Sequence, residues 1–217
     1  MTEAVDGPGD DPGTVPSRPG PIGGDMAAIV FGLARRARLT ALVERHDSTV
    51  VMSAFAFVNG VIAIGVMALL AFVTGEPYIF PSLGPTAFLL FYTPLVAASC
   101  PRNTVFGHLI GAVAGYLALV VFGLTDAPPA LATEVSGSRI WAAALSLGLT
   151  SGVMVLARVP HPPAGATTLI VSLGIFNDLS ELTILMIAVV LLVVQGFVIN
   201  RLAGIPYPLW SPRPPDT

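Results

Sequence analysis

Four long apolar stretches constrain the fold of this chain more than any other feature. They are Val50–Val73, Thr104–Leu124, Ile140–Ala157 and Leu182–Ile199. A helix needs about 20 predominantly apolar residues to cross the hydrocarbon core of a bilayer, and these stretches approach or exceed that length. Of the 217 residues, 54% are hydrophobic and 11% are charged, whereas a soluble domain carries about 25% charged residues. We therefore expect an all-α integral membrane protein that lies in the lipid bilayer.

Two further apolar segments, Pro81–Ser99 and His161–Phe176, open with proline and glycine. Each is either a re-entrant loop or a broken span. If both cross, the basic loops share one side with the arginines near the N-terminus, as loops on the cytoplasmic side do. Those basic residues are Arg102, Arg158 and Arg201. We predict six crossings and a cytoplasmic N-terminus in the cell (inner) membrane, with Arg139 as the exception to the charge pattern.

The regions outside the spans suggest the domain boundaries. Residues 1–26 are rich in Gly, Pro and Asp, so we expect a disordered cytosolic tail. Residues 27–47 carry arginines among apolar residues at helical spacing and predict an amphipathic helix on the membrane surface. A transmembrane domain over 48–208 and a short tail over 209–217 complete the chain. The single cysteine, Cys100, excludes an internal disulfide and a cysteine-based metal site.

The two broken segments resemble each other. "GPTAFLL" at Gly84–Leu90 aligns with "GATTLIV" at Gly165–Val171, 81 residues later, and long helices flank both in the same order. The chain therefore reads as two units of helix, broken segment and helix. With three crossings in each unit, the second unit is inverted relative to the first. Inverted repeats with broken helices are a common transporter architecture.

The prolines of "VPHPP" predict where the second broken helix starts. Proline disfavours helix in the residue before it, so a helix can begin near Ala164. Its first N–H groups then lack partners, which is costly in lipid. Inverted symmetry brings two such positively polarised helix starts together near the midplane as an anion site. The candidate binding residues are Ser82, Gly84, Thr86, Gly165, Thr167 and Thr168. Alternatively, the threonines bond their own backbone carbonyls and the glycines serve helix packing.

Two histidines and a glycine pattern complete the candidates. A titratable residue within a span indicates function, and the ordinary pKa of histidine suits proton coupling or a pH gate. We assign that role to His161 and His108; the alternative for His161 is that it only fixes the turn. Gly107, Gly111 and Gly115 predict a helix–helix contact, which also allows a homo-oligomer.

Two sequence blocks indicate a family. "HPPAGATTLIV" from His161, together with "PSLGPTAFLLF" and "PRNTVFGHLIGAVAG", resembles the HPP family of integral membrane proteins over about residues 45–200. The resemblance implies four membrane helices and transport, and plant chloroplast and cyanobacterial relatives are associated with nitrite. The residues that match the family pattern are Gly84, Arg102, Asn103, Gly107, His108, His161, Pro162, Pro163, Gly165 and Thr167. Pro85 departs from it, since a small residue other than proline is expected there.

These features favour a secondary transporter for a small inorganic anion such as nitrite. An anion or solute channel on the same frame is the first alternative. A non-transporting membrane scaffold is another, although it gives no reason for two broken helices in matched positions. An intramembrane enzyme would need clustered carboxylates, a metal set or a nucleophile paired with a base, and the sequence offers none of these in a span. We expect no enzymatic activity, no cofactor, no metal and no nucleic-acid partner.

Overall fold

The computed structural model describes residues 39–133 and 135–212, and these ranges contain helices and no strands. The α-helices are α1 Leu39–Val43, α2 Ser48–Thr74, α3 Leu83–Tyr92, α4 Pro101–Val121, α5 Gly137–Ala157, α6 Ala164–Ser172 and α7 Leu179–Leu202, with a 3-10 turn at Ala97–Ser99. The predicted all-α class is confirmed. The predicted tail over 1–26 and most of the predicted surface helix over 27–47 lie outside the described residues.

Helices α2, α4, α5 and α7 are long and apolar enough to cross a membrane. They contain 27, 21, 21 and 24 residues. Local signals set their ends. The Asp47 side chain accepts hydrogen bonds from two backbone N–H groups at the start of α2, and Gly75 ends that helix with a φ of 75°. Asp178 and Glu181 form a capping box at the start of α7.

One end of the bundle gathers the starts of α2 and α4 and the ends of α5 and α7. Leu39 N donates to Ala203 O over 3.0 Å, and Arg102 N donates to Trp210 O over 3.0 Å. Arg102 Nη1 lies 3.5 Å from Arg158 O. We call this the arginine end. Its described arginines are Arg45, Arg102, Arg158 and Arg201.

The opposite end gathers the ends of α2 and α4 and the starts of α5 and α7. Asn177 Nδ2 donates to Thr125 O over 2.8 Å, and Ala130 N donates to Leu173 O over 2.9 Å. We call this the acidic end. Its described carboxylates are Glu76, Asp126, Asp178 and Glu181. The predicted grouping of Arg102, Arg158 and Arg201 on one side is therefore present in the fold, with Arg139 at the opposite end.

Each broken segment connects the two ends of the bundle. The chain leaves α2 at the acidic end, passes through α3 and reaches the arginine end at the start of α4. It leaves α5 at the arginine end, passes through α6 and reaches the acidic end at the start of α7. Helices α3 and α6 have only 10 and 9 residues, so we call them half-helices. The four long helices are therefore confirmed, and the path of the two broken segments is the one that the predicted six crossings require.

Packing between the units confirms the inverted repeat. Half-helix α3 packs on α2 of its own unit and on α7 of the other, while α6 packs on α5 of its own unit and on α4 of the other. Equivalent residues of the two units also meet in the same way. A Cβ added to Gly115 would lie 2.7 Å from Val171 Cβ, and one added to Gly196 would lie 3.0 Å from Leu90 Cδ1. The two contacts are related by the same offset of 81 residues.

The glycine face of α4 is the surface on which α6 packs. A Cβ added to Gly107 would lie 2.6 Å from His161 Cβ, and one added to Gly111 would lie 2.6 Å from Ala164 O. The predicted helix–helix contact is thus confirmed, but it lies within the chain. Because α6 and the turn before it already occupy the glycine face, a homo-oligomer would have to use another surface, and it stays a prediction.

Candidate functional site

Five polar side chains form a fully buried cluster between α3, α4 and α6, and every one of them is 0% exposed. They are Ser82, Thr86, His108, His161 and Thr167. All five are candidates from the sequence analysis. The fold therefore unites residues that lie up to 85 positions apart in the chain.

Each contributing element presents these side chains for a local reason. Ser82 and Thr86 are four residues apart at the start of α3, so they lie on one face of that helix. His108 lies in the second turn of α4, and Thr167 lies in the first turn of α6. Helix α6 begins at Ala164, where the prolines predicted that it would.

Direct hydrogen bonds join the two half-helices to α4. Ser82 Oγ lies 2.8 Å from Thr167 Oγ1. Thr167 Oγ1 lies 2.6 Å from His108 Nδ1, and the other nitrogen of that ring, Nε2, lies 2.9 Å from Thr86 Oγ1. Thr86 also donates its hydroxyl to Ser82 O over 2.9 Å. The N-terminal residues of both half-helices therefore meet at one imidazole ring.

His161 joins the cluster from the turn before α6. Its Nδ1 lies 2.7 Å from Ala98 O. Its Nε2 lies 3.2 Å from His108 Nε2 and 3.3 Å from Thr86 Oγ1. The close approach depends on Gly107, because any side chain there would overlap the His161 Cβ. His161 does fix its turn against the 3-10 segment, but it also faces a second histidine.

The expected free N–H donors at the half-helix starts are not found. Ala164 N, Gly165 N and Ala166 N each donate to the carbonyl three residues earlier, over 3.0 to 3.1 Å. Leu83 N donates to Phe80 O over 3.1 Å. This 3-10 bonding satisfies the groups that an α-helix start leaves open. The structure thus corrects our picture of two bare helix starts: the groups presented to the cluster are hydroxyls and imidazoles.

Three other binding candidates lie outside the cluster. Thr168 Oγ1 donates to Ala164 O over 3.1 Å and lies 2.7 Å from Thr150 Oγ1, so it fastens α6 to α5. A Cβ added to Gly84 would have no neighbour within 4 Å, and one added to Gly165 would touch only Leu147 at 3.3 Å. Neither glycine is needed for a close contact with another part of the protein, and their role in binding a ligand stays a prediction.

The remaining motif residues lie at the arginine end. Asn103 is 1% exposed and donates to Ala97 O over 2.9 Å, which holds the 3-10 turn against α4. Arg102 links α4 to the end of α5 through Arg158 O. Pro162 is exposed and Pro163 is buried. These residues position the loop that carries Ala98, the carbonyl partner of His161.

Sequence reasoning missed the role of Arg139, which is 3% exposed. Its guanidinium donates to Ser172 O over 3.1 Å and to the carbonyls of Ala127 and Pro128 over 3.2 and 2.9 Å. A cation at the C-terminus of a helix is favoured by the helix dipole, and Ser172 is the last residue of α6. The arginine that breaks the charge pattern is therefore turned inward, where it caps a half-helix.

Comparison with known proteins gives the family. The family model described as "HPP, transmembrane region" matches residues 45–208. The chain belongs to the HPP transmembrane family. The cluster lies inside the matched region, and the His-Pro-Pro motif of this HPP protein contributes His161 to it.

Two curated relatives are transmembrane proteins of Dictyostelium discoideum. One is 34% identical over 120 residues, which is 54% of this chain and 35% of the relative. The other is 33% identical over 94 residues, which is 43% of this chain and 30% of the relative. The HPP chain thus spans about a third of the length of these relatives. No solved structure matches it.

Proposed function

We propose that this HPP protein carries a small inorganic anion of the size and charge of nitrite across the membrane. One observation supports the proposal most. Two half-helices that enter from opposite ends of the bundle meet through Ser82 and Thr167, whose hydroxyl oxygens are 2.8 Å apart. Broken helices of inverted repeats form the substrate sites of many transporters in this way.

The polarity of the meeting point suits an anion. Both half-helices direct their N-termini, the positive ends of their dipoles, toward the cluster. None of the hydrogen bonds within the cluster involves a carboxylate. The hydroxyls of Ser82 and Thr167 and the imidazole of His108 are donors that an entering anion can recruit once the half-helices separate.

The direct contact between the half-helices supports alternating access over a permanently open pore. In this interpretation the hydroxyl pair closes the site, and binding of the anion replaces the contact between Ser82 and Thr167 with contacts to the anion. Transport is then saturable, whereas flux through a simple pore rises with concentration over a wide range.

Uptake into liposomes that contain the purified protein tests the proposal. We expect saturable nitrite uptake that nitrate and formate reduce by competition. Ser82→Ala should lower uptake about tenfold or more, because a hydrogen bond to a charged group contributes about 1.5–3 kcal/mol. The matched control is Ser151→Ala, which removes an exposed hydroxyl from α5 and should leave uptake unchanged. Equal loss in both variants, or no uptake of any of these anions by the wild type, would contradict the proposal.

A further inference from the structure

The partners of His161 determine where its hydrogen lies. Its Nδ1 faces Ala98 O, which can only accept a hydrogen bond, so Nδ1 carries the hydrogen in the neutral ring. Its Nε2 therefore has a free lone pair, which faces His108 Nε2 at 3.2 Å.

The other hydrogens of the cluster follow in order. Thr86 donates its only hydroxyl hydrogen to Ser82 O. Its oxygen therefore accepts a hydrogen bond from His108 Nε2. His108 in its neutral form then presents a lone pair on Nδ1, and Thr167 donates to it. Because the hydroxyl hydrogen of Thr167 is already donated to His108, the Ser82 hydroxyl donates to Thr167 Oγ1. The donors thus run in one direction, from Ser82 through Thr167 and His108 toward His161.

We infer that this chain of hydrogen bonds is a proton relay that couples anion transport to proton movement, with Ser82 as the entry and His161 as the acceptor. The inference rests on the proposed function and adds its coupling ion, its route and its direction. Ser82 is the last residue of the segment that runs from the acidic end to α3. His161 contacts the loop that leads from α3 to the arginine end. With its hydrogens arranged as in this structure, the relay is therefore set to accept a proton from the acidic end and to deliver it toward the arginine end.

One transfer conserves every proton. A hydronium ion arriving from the acidic end gives its proton to Ser82 Oγ and becomes water, as the hydroxyl proton of Ser82 passes to Thr167 Oγ1. The Thr167 proton passes to His108 Nδ1, and the proton on His108 Nε2 passes to His161 Nε2. Each hydroxyl gains one proton and loses one. His108 becomes the other neutral tautomer, and His161 becomes an imidazolium that later releases its Nδ1 proton toward the arginine end.

The imidazolium needs a counter-charge, because an unpaired charge in a buried site is costly. An anion that enters between Ser82 and Thr167 after the proton has passed supplies that charge, so proton and anion stabilise each other. The two histidines are the titratable groups within the cluster. On the elements packed around it, the other charged or titratable residues lie toward the two ends: Tyr92 on α3, Cys100, Arg102 and Tyr116 on or next to α4, Arg139 and Arg158 on or next to α5, and Glu181 and Arg201 on α7. We therefore expect one proton to accompany each anion.

A purely structural role for the cluster gives a different expectation. Hydrogen bonds that only fasten the half-helices would affect stability and transport rate, but not the ratio of protons to anions. Thr167→Val breaks the relay while keeping the shape of the side chain, and Thr167→Ser restores the hydroxyl. Thr150→Val is the matched control, since Thr150 forms a buried hydroxyl pair with Thr168 over 2.7 Å outside the relay. Ser82→Ala offers a second break in the relay if Thr167→Val does not fold.

The experiment measures trapped nitrite and lumenal pH in the same proteoliposomes, with protein-free liposomes to correct for nitrous acid that crosses lipid unaided. We expect a ratio near one proton per nitrite for the wild type, Thr150→Val and Thr167→Ser. For Thr167→Val or Ser82→Ala the residual uptake should carry several-fold fewer protons.

The outcomes separate the two proposals. An unchanged ratio in Thr167→Val and Ser82→Ala, with nitrite uptake still measurable, would overturn the relay and leave transport standing. A ratio that also falls in Thr150→Val would assign the effect to helix packing and likewise overturn the relay. A lack of anion uptake by the wild type would overturn the transport function and the relay with it.

Discussion

The contact between α4 and α6 and the contact between α7 and α3 occupy equivalent positions in the inverted repeat, yet their chemistry is opposite. The first carries His108 against His161 and Thr167, beside the glycines of α4. At the matching positions the second has Val189 in place of His108 and Phe80 in place of His161. Both replacements belong to the buried apolar core. The contact between α7 and α3 is mainly apolar, with the bond from Asn200 Nδ2 to Leu90 O as a buried polar contact, and the contact between α4 and α6 carries the polar cluster.

The difference shows that an inverted repeat determines the packing of the backbones and leaves the choice of side chains free. Symmetry fixes where the backbones approach, as the Gly115–Val171 and Gly196–Leu90 contacts demonstrate. It does not fix the side chains between them. A protein that moves one half against the other gains from this division, since an apolar interface stays dry while a hydroxyl-lined interface can exchange its bonds for a ligand.

The comparison depends on the inversion of the repeats, and labelling of introduced cysteines offers the largest, all-or-none effect. In a Cys100→Ala background, Glu76→Cys and Leu95→Cys should react with an impermeant maleimide from opposite sides of the membrane, because α3 lies between them and connects the two ends. Reaction of both from one side would show a re-entrant segment and would break the comparison. Native Cys100 is 0% exposed and burial raises the pKa of its thiol, so it should stay unlabelled in the folded protein.

A histidine introduced into the apolar contact between α7 and α3 should destabilise the protein more than the other substitutions do. Val189→His places an imidazole in the apolar core without partners. The unpartnered polar group and the added volume together should lower the free energy of unfolding by about 3 kcal/mol or more. Val189→Leu, which adds volume without polarity, should cost about 1–2 kcal/mol. Thermal unfolding in detergent measures both, and equal losses would show that polarity does not distinguish the two interfaces.

Glycine substitutions compare the tightness of the same two interfaces. Gly111→Ala would bring a Cβ to 2.6 Å from the backbone oxygen of Ala164, and we expect a loss of about 1–3 kcal/mol. Gly196→Ala would meet the flexible end of Leu90 at 3.0 Å. Its cost should stay within about 1 kcal/mol, because alanine also favours helix by about that amount over glycine. The reverse order of unfolding temperatures would contradict the geometry.

The smallest expected effect concerns which ring nitrogen of each histidine carries the hydrogen. We expect neutral His161 to carry its hydrogen on Nδ1 and neutral His108 to carry it on Nε2. Nitrogen-15 NMR of histidine-labelled protein distinguishes the tautomers, and His161→Gln assigns the signals. Both histidines in the same tautomer would remove the directed chain of donors from the polar interface, and with it the basis for proton transfer from Ser82 to His161.

Much of the fold could be predicted from sequence because its signals are local. Lengths of apolar sequence predicted the four spans, prolines predicted the start of α6 at Ala164, and arginines predicted which loops share an end. The match between Gly84–Leu90 and Gly165–Val171 predicted the inverted repeat. Each of these depends on residues close together in the chain or on a count along it.

The candidate site was predicted only as a set of residues. Ser82, Thr86, Thr167 and both histidines were identified from their types and places, whereas the fold leaves Thr168 and the two glycines outside the cluster. The rotation of α6 about its axis decides which neighbour each of its hydroxyls can bond. Successive helix residues are about 100° apart around that axis, so Thr167 and Thr168 face different neighbours. That rotation is set by packing on the glycine face of α4.

The sequence by itself determined that the chain lies in a membrane, where its helices begin, and that its halves are inverted copies. The tertiary structure alone decided that two histidines 53 residues apart share a buried hydrogen-bond chain, and that Arg139 turns inward to cap α6. The physical reason is the range of the interactions. Hydropathy and helix termination act within a few residues, whereas buried hydrogen bonds join groups that only the packing of several helices brings within 3 Å.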